Sequence, residues 1–300
     1  FYKKKFKKYK KEIYIVIKNN KIFAADNLGY VYCVDILTTK LIWAKNTGIP
    51  FRSNIKIVGN NLFVANQDNT IFSFNISSGE KKWSFSTSQA FLTTDFINSI
   101  AINKKINSVI MLNTNGELTS INYEQNKINW IINFKSASSF SENTNLFLGS
   151  PILIEGENLI ISADNTIQNH NILSGQKKWV QYISSKTKIL TTNENIFLIN
   201  EANLLICIDI KSGKIVWSQN IFNDLNKKIK KKIGKITNIL AVENKIMLFS
   251  DKGFLLSCNY QNGKLVSSFH ISKNGINSDP IFVNRSMYLV NKKSQLLIFE

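Results

Sequence analysis

Residues 73–83 read SFNISSGEKKW, and the same eleven-residue frame recurs along the chain. The other copies are CVDILTTKLIW (33–43), SINYEQNKINW (120–130), NHNILSGQKKW (169–179), CIDIKSGKIVW (207–217) and SCNYQNGKLVS (257–267), and a further one begins at SQLLIFE (294–300). The third position of the six complete copies is Asp or Asn, namely Asp35, Asn75, Asn122, Asn171, Asp209 and Asn259, and the seventh stops at Glu300, which takes that position. Gly79, Gly175, Gly213 and Gly263 follow four residues later, with Thr39 and Asn126 in the two remaining copies. Every tryptophan of the chain closes such a frame, at Trp43, Trp83, Trp130, Trp179 and Trp217, and Ser267 stands there in the sixth copy. Successive tryptophans are 40, 47, 49 and 38 residues apart. That is the length of a four-stranded propeller blade.

Upstream of each frame lie two short apolar runs with strand character, such as PILI (151–154) and NLIISA (158–163). Each unit therefore offers strands A and B, then C running into the Asp or Asn, a turn, and D carrying the tryptophan. The short Asx side chain at the end of C accepts from amides of the turn. The glycine stands where a positive φ is needed; Asn tolerates that conformation and Thr does not, so the turn at Thr39 is expected to differ locally. A tryptophan on an outer strand is large enough to pack against the next blade, and its indole N–H needs an acceptor if buried. The expected fold is all-β, one β-propeller domain of four-stranded antiparallel blades over residues 1–300, with blade units at about 12–46, 52–87, 97–134, 150–184, 187–221, 236–271 and 279–300. The last unit lacks strand D.

The frame resembles the tryptophan-docking motif of the pyrroloquinoline-quinone (PQQ) type repeats, small-x-Asp-x-x-x-Gly-Lys-x-x-Trp. The resemblance covers essentially residues 12–300 and implies that each tryptophan stacks on the adjacent blade. The family's small residue, two before the Asx, is here Cys33, Ser73, Ser120, Asn169, Cys207 or Ser257. Two of the three cysteines thus read as small packing residues.

Among repeats of this class, size and the lack of cofactor residues make the chain similar to the BamB family of outer-membrane assembly lipoproteins. That resemblance implies a non-catalytic protein-interaction scaffold without a cofactor. It implies a periplasmic, outer-membrane-associated place through an N-terminal lipid, and a protein partner: the periplasmic domain of an outer-membrane assembly protein. It also implies eight blades in the full-length protein against the seven units visible here; the alternative is a seven-bladed ring with Phe1–Lys5 as a remnant outer strand. The chain opens on Phe1, and FYKKKFKKYKK (1–11) resembles the Lys-rich stretch after Trp217. The expectation is therefore an upstream segment carrying the missing blade part and the lipid-acceptor cysteine.

The competing class is a PQQ-dependent quinoprotein dehydrogenase, as a fragment or degenerate relative. That family carries adjacent cysteines, a carboxylate base and Glu/Asn/Asp calcium ligands. Cys33, Cys207 and Cys258 are far apart, and acidic residues such as Asp26, Asp68, Asp164 and Asp251 follow strand B, where turn amides would use them. His170 and His270 are the only histidines and have no nucleophile motif beside them. No phosphate loop, HExxH or CxxC occurs. The sequence thus points to no catalytic, cofactor or metal residue.

The net charge is +18, from 38 basic and 20 acidic residues. A basic patch without a nucleic-acid motif does not imply nucleic-acid binding, and the Lys, Asn and Ile richness has the character of a compositional bias. The lysine runs at 3–11 and 227–232 read as solvated linkers between blades or as contacts to an anionic surface. No apolar run reaches the ~20 residues of a membrane helix. The longer connections, 88–96, 135–149 and 222–235, are the candidate partner-binding loops.

Overall fold

The structure, a computed structural model, describes residues 12–88, 96–134, 147, 149–163, 165–185 and 187–300. Its strands are short, rich in β-branched and aromatic residues, and folded back on their sequence neighbours. The first sheet is β1 (Ile13–Lys18), β2 (Lys21–Asp26), β3 (Tyr30–Asp35) and β4 (Leu41–Asn46). The second is β5 (Lys56–Val58), β6 (Asn61–Ala65), β7 (Thr70–Asn75) and β8 (Lys81–Ser86). The third is β9 (Ser99–Asn103), β10 (Ser108–Leu112), β11 (Glu117–Asn122) and β12 (Lys127–Asn133). The fourth is β13 (Leu153–Glu155), β14 (Asn158–Ala163), β15 (Thr166–Asn171) and β16 (Lys177–Gln181). The fifth is β17 (Leu190–Thr191), β18 (Asn195–Ile199), β19 (Leu204–Asp209) and β20 (Ile215–Asn220). After a short helix, α1 (Lys227–Lys232), the sixth is β21 (Ile236–Val242), β22 (Lys245–Ser250), β23 (Phe254–Asn259) and β24 (Leu265–His270). The seventh has three strands, β25 (Ile281–Val283), β26 (Ser286–Val290) and β27 (Leu296–Phe299). In every sheet the spatial order follows the chain order, an antiparallel meander.

The middle strands are buried on both faces, and alternate side chains serve different neighbours. On β6, Leu62 and Val64 join Phe23, Val31 and Cys33 of the first sheet. Phe63 and Ala65, one position along, join Ile100, Val109 and Met111 of the third. Leu118 and Ile110 pack with Leu159 and Ile161 of β14 in the same way. Further on, Phe197 and Leu205 meet Ile246 and Leu256, and Phe249 meets Met287 and Leu289. The apolar cores therefore lie between consecutive sheets, and each fully buried Leu, Ile or Phe contributes about 1.5–3 kcal/mol. A one-residue slip of any middle strand would swap both faces at once, which pins the register.

The described residues fall into two compact units. One comprises the residues before 164 together with His170–Gln176, the other Asn165–Asn169 with Lys177–Glu300.

Two turns repeat. Between the second and third strands of a sheet, an Asx or Ser carbonyl accepts from the residue three further on, as in Asn113–Gly116 at 3.1 Å and Asn200–Asn203 at 3.0 Å. That later residue has positive φ: Gly29, Asn69, Gly116, Asn203, Gly253 and Ser294. Between the third and fourth strands comes the quoted frame. Thr39 takes φ +56 there, beside +70 at Gly79 and +55 at Asn126. The expected local departure at Thr39 is therefore corrected: the sheet holds the same left-handed turn and imposes it on a β-branched residue, a conformation costing about 1–2 kcal/mol.

The Lys-rich linker is also more ordered than a nearly all-β reading anticipates. Asn226 caps α1, its Oδ1 accepting the Ile229 amide at 2.9 Å. Leu225, Ile229 and Ile233, four residues apart, turn one stripe onto the core with Phe222.

Candidate functional site

The frame's residues were the strongest signal, and the structure places each of them in a defined contact. The Asx side chain accepts turn amides in all six copies. Asp35 accepts Thr38 N and Oγ1, and Asp209 accepts Ser212 N and Oγ. Asn75 accepts Ser77 N and Ser78 N, and Asn122 accepts Glu124 N and Gln125 N. Asn171 accepts Leu173 N and Ser174 N, and Asn259 accepts Gln261 N and Asn262 N. The bonds from Thr38 and Ser212 hold the Asp35 and Asp209 carboxyls below the usual carboxylate range.

Four of the five tryptophans sit opposite the frame's small residue across the strand pair: Cys33–Trp43, Ser73–Trp83, Ser120–Trp130 and Cys207–Trp217. In every such pair the register shifts one step after that small residue, so a bulge lies just before the tryptophan. A small side chain leaves the indole room to cross toward the next turn. Trp43 donates to Ile76 O at 3.0 Å, Trp130 to Ile172 O at 3.2 Å and Trp179 to Ile210 O at 3.0 Å. The acceptor is always the residue after the next frame's Asx.

The ring then lies flat on that frame's glycine. A Cβ at Gly79 would come within 2.5 Å of Trp43, at Gly213 within 2.6 Å of Trp179, and at Gly175 within 2.9 Å of Trp130. Trp217 turns its outer edge to Gly263, where a Cβ would meet Cζ3 at 2.3 Å. Trp83 has no such glycine ahead of it, since Asn126 fills the position. Its indole N–H is buried without a partner, as is the Ser73 hydroxyl opposite. Tyr123 replaces Ile after the Asx there and packs on Phe63, which also packs on Trp83.

Asn169 departs from the small-residue pattern: it is buried, and its Nδ2 donates to Ile210 O, the carbonyl that Trp179 also uses.

Sequence reasoning missed a second set. Asp26, Asn66, Asn113, Asn200, Ser250 and Asn291 each accept an amide four residues on. Asp68 was expected to serve its turn, but Asn66, two residues earlier, does so, and Asp68 gives its own amide to Asn66. Asp251 instead accepts Lys235 N and pairs with Lys292 at 3.5 Å. Asp26 does accept its turn amides, and Tyr32 OH besides, at 2.6 Å. Asp164 lies outside the described residues.

The other candidate groups are engaged structurally. Cys33, Cys207 and Cys258 are buried and free. Burial raises the Cys33 thiol and pushes Cys207 and Cys258 up to about 12, far from a thiolate nucleophile. His170 places Nδ1 against Gly175 O at 2.9 Å and lies edge-on to Phe134. His270 stacks on Phe254 and meets Lys252 O. Among the described residues no group of three or more His, Cys, Asp or Glu is placed to hold a metal ion. An open depression is lined by Thr187, Lys188, Glu201, Lys235, Ile236 and Thr237, and Lys188 is paired with Asp279.

Of the candidate loops, 222–235 carries α1. Residues 89–95, 135–146 and 148 of the other two, and the lysine run at 3–11, lie outside the described residues.

Comparison with known proteins bears on this arrangement directly. Residues 5–219 match the family described as outer membrane protein assembly factor BamB. The chain belongs to that family. BamB of Moranella endobia is 24% identical over 243 residues, 72% of this chain and 59% of the relative. BamB of Shewanella oneidensis is 20% identical over 70% of this chain and 57% of its own length. The chain thus spans under three-fifths of the length of the curated relatives it matches. The crystal structure of BamB from Moraxella catarrhalis superposes with a TM-score of 0.76 at 15% identity, covering 96% of this chain and 83% of that one. A computationally designed protein, Ika8, matches at 0.52 and 11% identity over 95% of this chain and 94% of its own. The likeness to BamB shows the fold: an all-β propeller whose blades are the sheets described above.

Proposed function

We propose that the chain is a component of the outer-membrane β-barrel assembly machinery, acting there as a non-catalytic scaffold. On this reading it is periplasmic, held at the outer membrane by an N-terminal lipid, and binds the periplasmic domain of an outer-membrane assembly protein. The observation that carries the reading is the family match over residues 5–219. The geometry supports it. The recurring polar residues are spent on turns, the indoles on the next sheet, and the thiols and imidazoles on packing. A rigid array of this kind presents its connecting loops at fixed positions, as a binding scaffold needs.

The test is direct binding. The protein, immobilised, should retain the purified periplasmic domain of the central assembly protein from the same source in a saturable way. The quinoprotein alternative predicts something else: quinone absorbance, and a rise in thermal stability on adding PQQ and Ca²⁺. No retention of the domain, together with such a rise, would overturn the scaffold reading.

A further inference from the structure

The segment between the fifth and sixth sheets carries the densest charge among the described residues. Over 222–235, six lysines (Lys227, Lys228, Lys230, Lys231, Lys232 and Lys235) stand against one carboxylate, Asp224. All six are exposed. Among the described residues none of the five on α1 is in an ion pair, and two carboxylates near its C-terminal flank are used elsewhere, Asp251 by Lys292 and Asp279 by Lys188.

This is not a loose tail. Ile233 is 1% exposed and Leu225 6%, and with Ile229 they pin the helix to the core of the sixth sheet. Asn226 closes its start, and Lys230, Lys231 and Lys232 lie in its last turn, where the helix dipole favours positive charge. The fold therefore gathers five like charges on about one and a half turns and holds them outward. Mutual repulsion makes that arrangement costly unless a counter-charge is met.

We propose that α1 and its flanks form a docking surface for an anionic lipid bilayer, with the ammonium groups meeting headgroup phosphates. Three features favour a bilayer over other anions. The charges are all lysine, compact point charges without the guanidinium fork that reads a defined phosphate or carboxylate. The segment's one aromatic, Phe222, is partly buried against the core, so the segment lacks the row of exposed rings on which successive bases stack. All five helix lysines are exposed and none lines the nearby depression, to which the flanking Lys235 contributes, so their charges face outward from a convex surface. Its apolar stripe is used up in the fold, so contact is electrostatic and peripheral, without insertion. This goes beyond the proposed assembly role and does not depend on it, because vesicle binding is read without any partner protein.

The test is co-sedimentation of the protein with vesicles of phosphatidylglycerol and phosphatidylethanolamine, against phosphatidylcholine alone. A lysine near an anionic surface changes partitioning by about fivefold, so Lys230→Gln with Lys231→Gln should weaken binding to the anionic vesicles at least tenfold. Lys104→Gln with Lys105→Gln, on the exposed turn between β9 and β10, should change it less than twofold. Binding should fall steeply with salt. Equal loss in both double variants, no loss in the first, or equal binding to phosphatidylcholine would overturn the proposal. Tighter, Lys230/Lys231-dependent retention on an oligonucleotide or on polyglutamate than on vesicles would also overturn it and assign the surface to that partner.

Discussion

Trp43 of the first sheet lies on Gly79 of the second, so close that a Cβ on that glycine would sit 2.5 Å from the indole Cδ2, while the indole N–H donates to Ile76 O. The same ring, carbonyl and glycine meet at Trp130 with Gly175 and at Trp179 with Gly213. One residue thus ends a strand pair and at the same time caps the turn of the sheet that follows.

The copy in which the contact is incomplete makes a comparison. Trp43→Phe loses a hydrogen bond, whereas Trp83→Phe removes an N–H that has no partner. The first substitution should cost about 1 kcal/mol more than the second, measured by urea denaturation of each variant. Equal costs would mean that the indole hydrogen bond contributes nothing.

Thr39 occupies a left-handed turn position that glycine fills in four other copies. Thr39→Gly should stabilise the protein by about 1 kcal/mol, seen as a higher denaturation midpoint, since strain is relieved by more than the added chain entropy. A lower midpoint would show that the Thr39 side chain contributes more than its backbone strain costs.

Asp35 and Asp209 have lowered carboxyl pKa values because they accept from Thr38 and Ser212. A depressed folded-state pKa gives stability that is present above the unfolded value, about 3.9, and is lost as pH falls through the folded value. The Asp35→Asn, Asp209→Asn double variant keeps an acceptor, as Asn75 does, and no longer titrates. Its melting temperature should fall less steeply than the parent's below about pH 4. Parallel curves would remove these two carboxylates from the acid transition.

The thiols should be silent in the native state. With Cys207 and Cys258 pushed up to about 12 and all three buried, a disulfide reagent at pH 8 should label none until denaturant is added. Rapid labelling of the native protein would place a cysteine in an open, activated site.

Much of this architecture is legible in the chain because the frame couples four independent demands: a small residue, an Asx, a left-handed position and a tryptophan at fixed offsets. The second repeating turn escaped because its acceptor varies among Asp26, Asn66 and Ser250, while conspicuous carboxylates such as Asp68 stand a step or two away. The available signal was a Gly or Asn three positions on, as at Gly29, Asn69, Gly116, Asn203 and Gly253. Thr39 misled for a physical reason: local preference is worth about 1–2 kcal/mol, and the burial of the strands on either side of the turn, with Cys33 and Trp43 in the core, outweighs that. The spacing of Leu225, Ile229 and Ile233 marks α1 once the lysines between them are set aside.

A double-mutant cycle on Trp43 and Gly79 tests the docking contact most directly. In the parent, Gly79→Ala should cost clearly more than Gly59→Ala, because both have positive φ but only Gly79 has a ring against it. In the Trp43→Ala background the Gly79→Ala cost should drop to the Gly59→Ala level, a coupling of about 1 kcal/mol or more. Costs that add to within about 0.5 kcal/mol would contradict the account, since the ring and the turn would then not be holding the two sheets together.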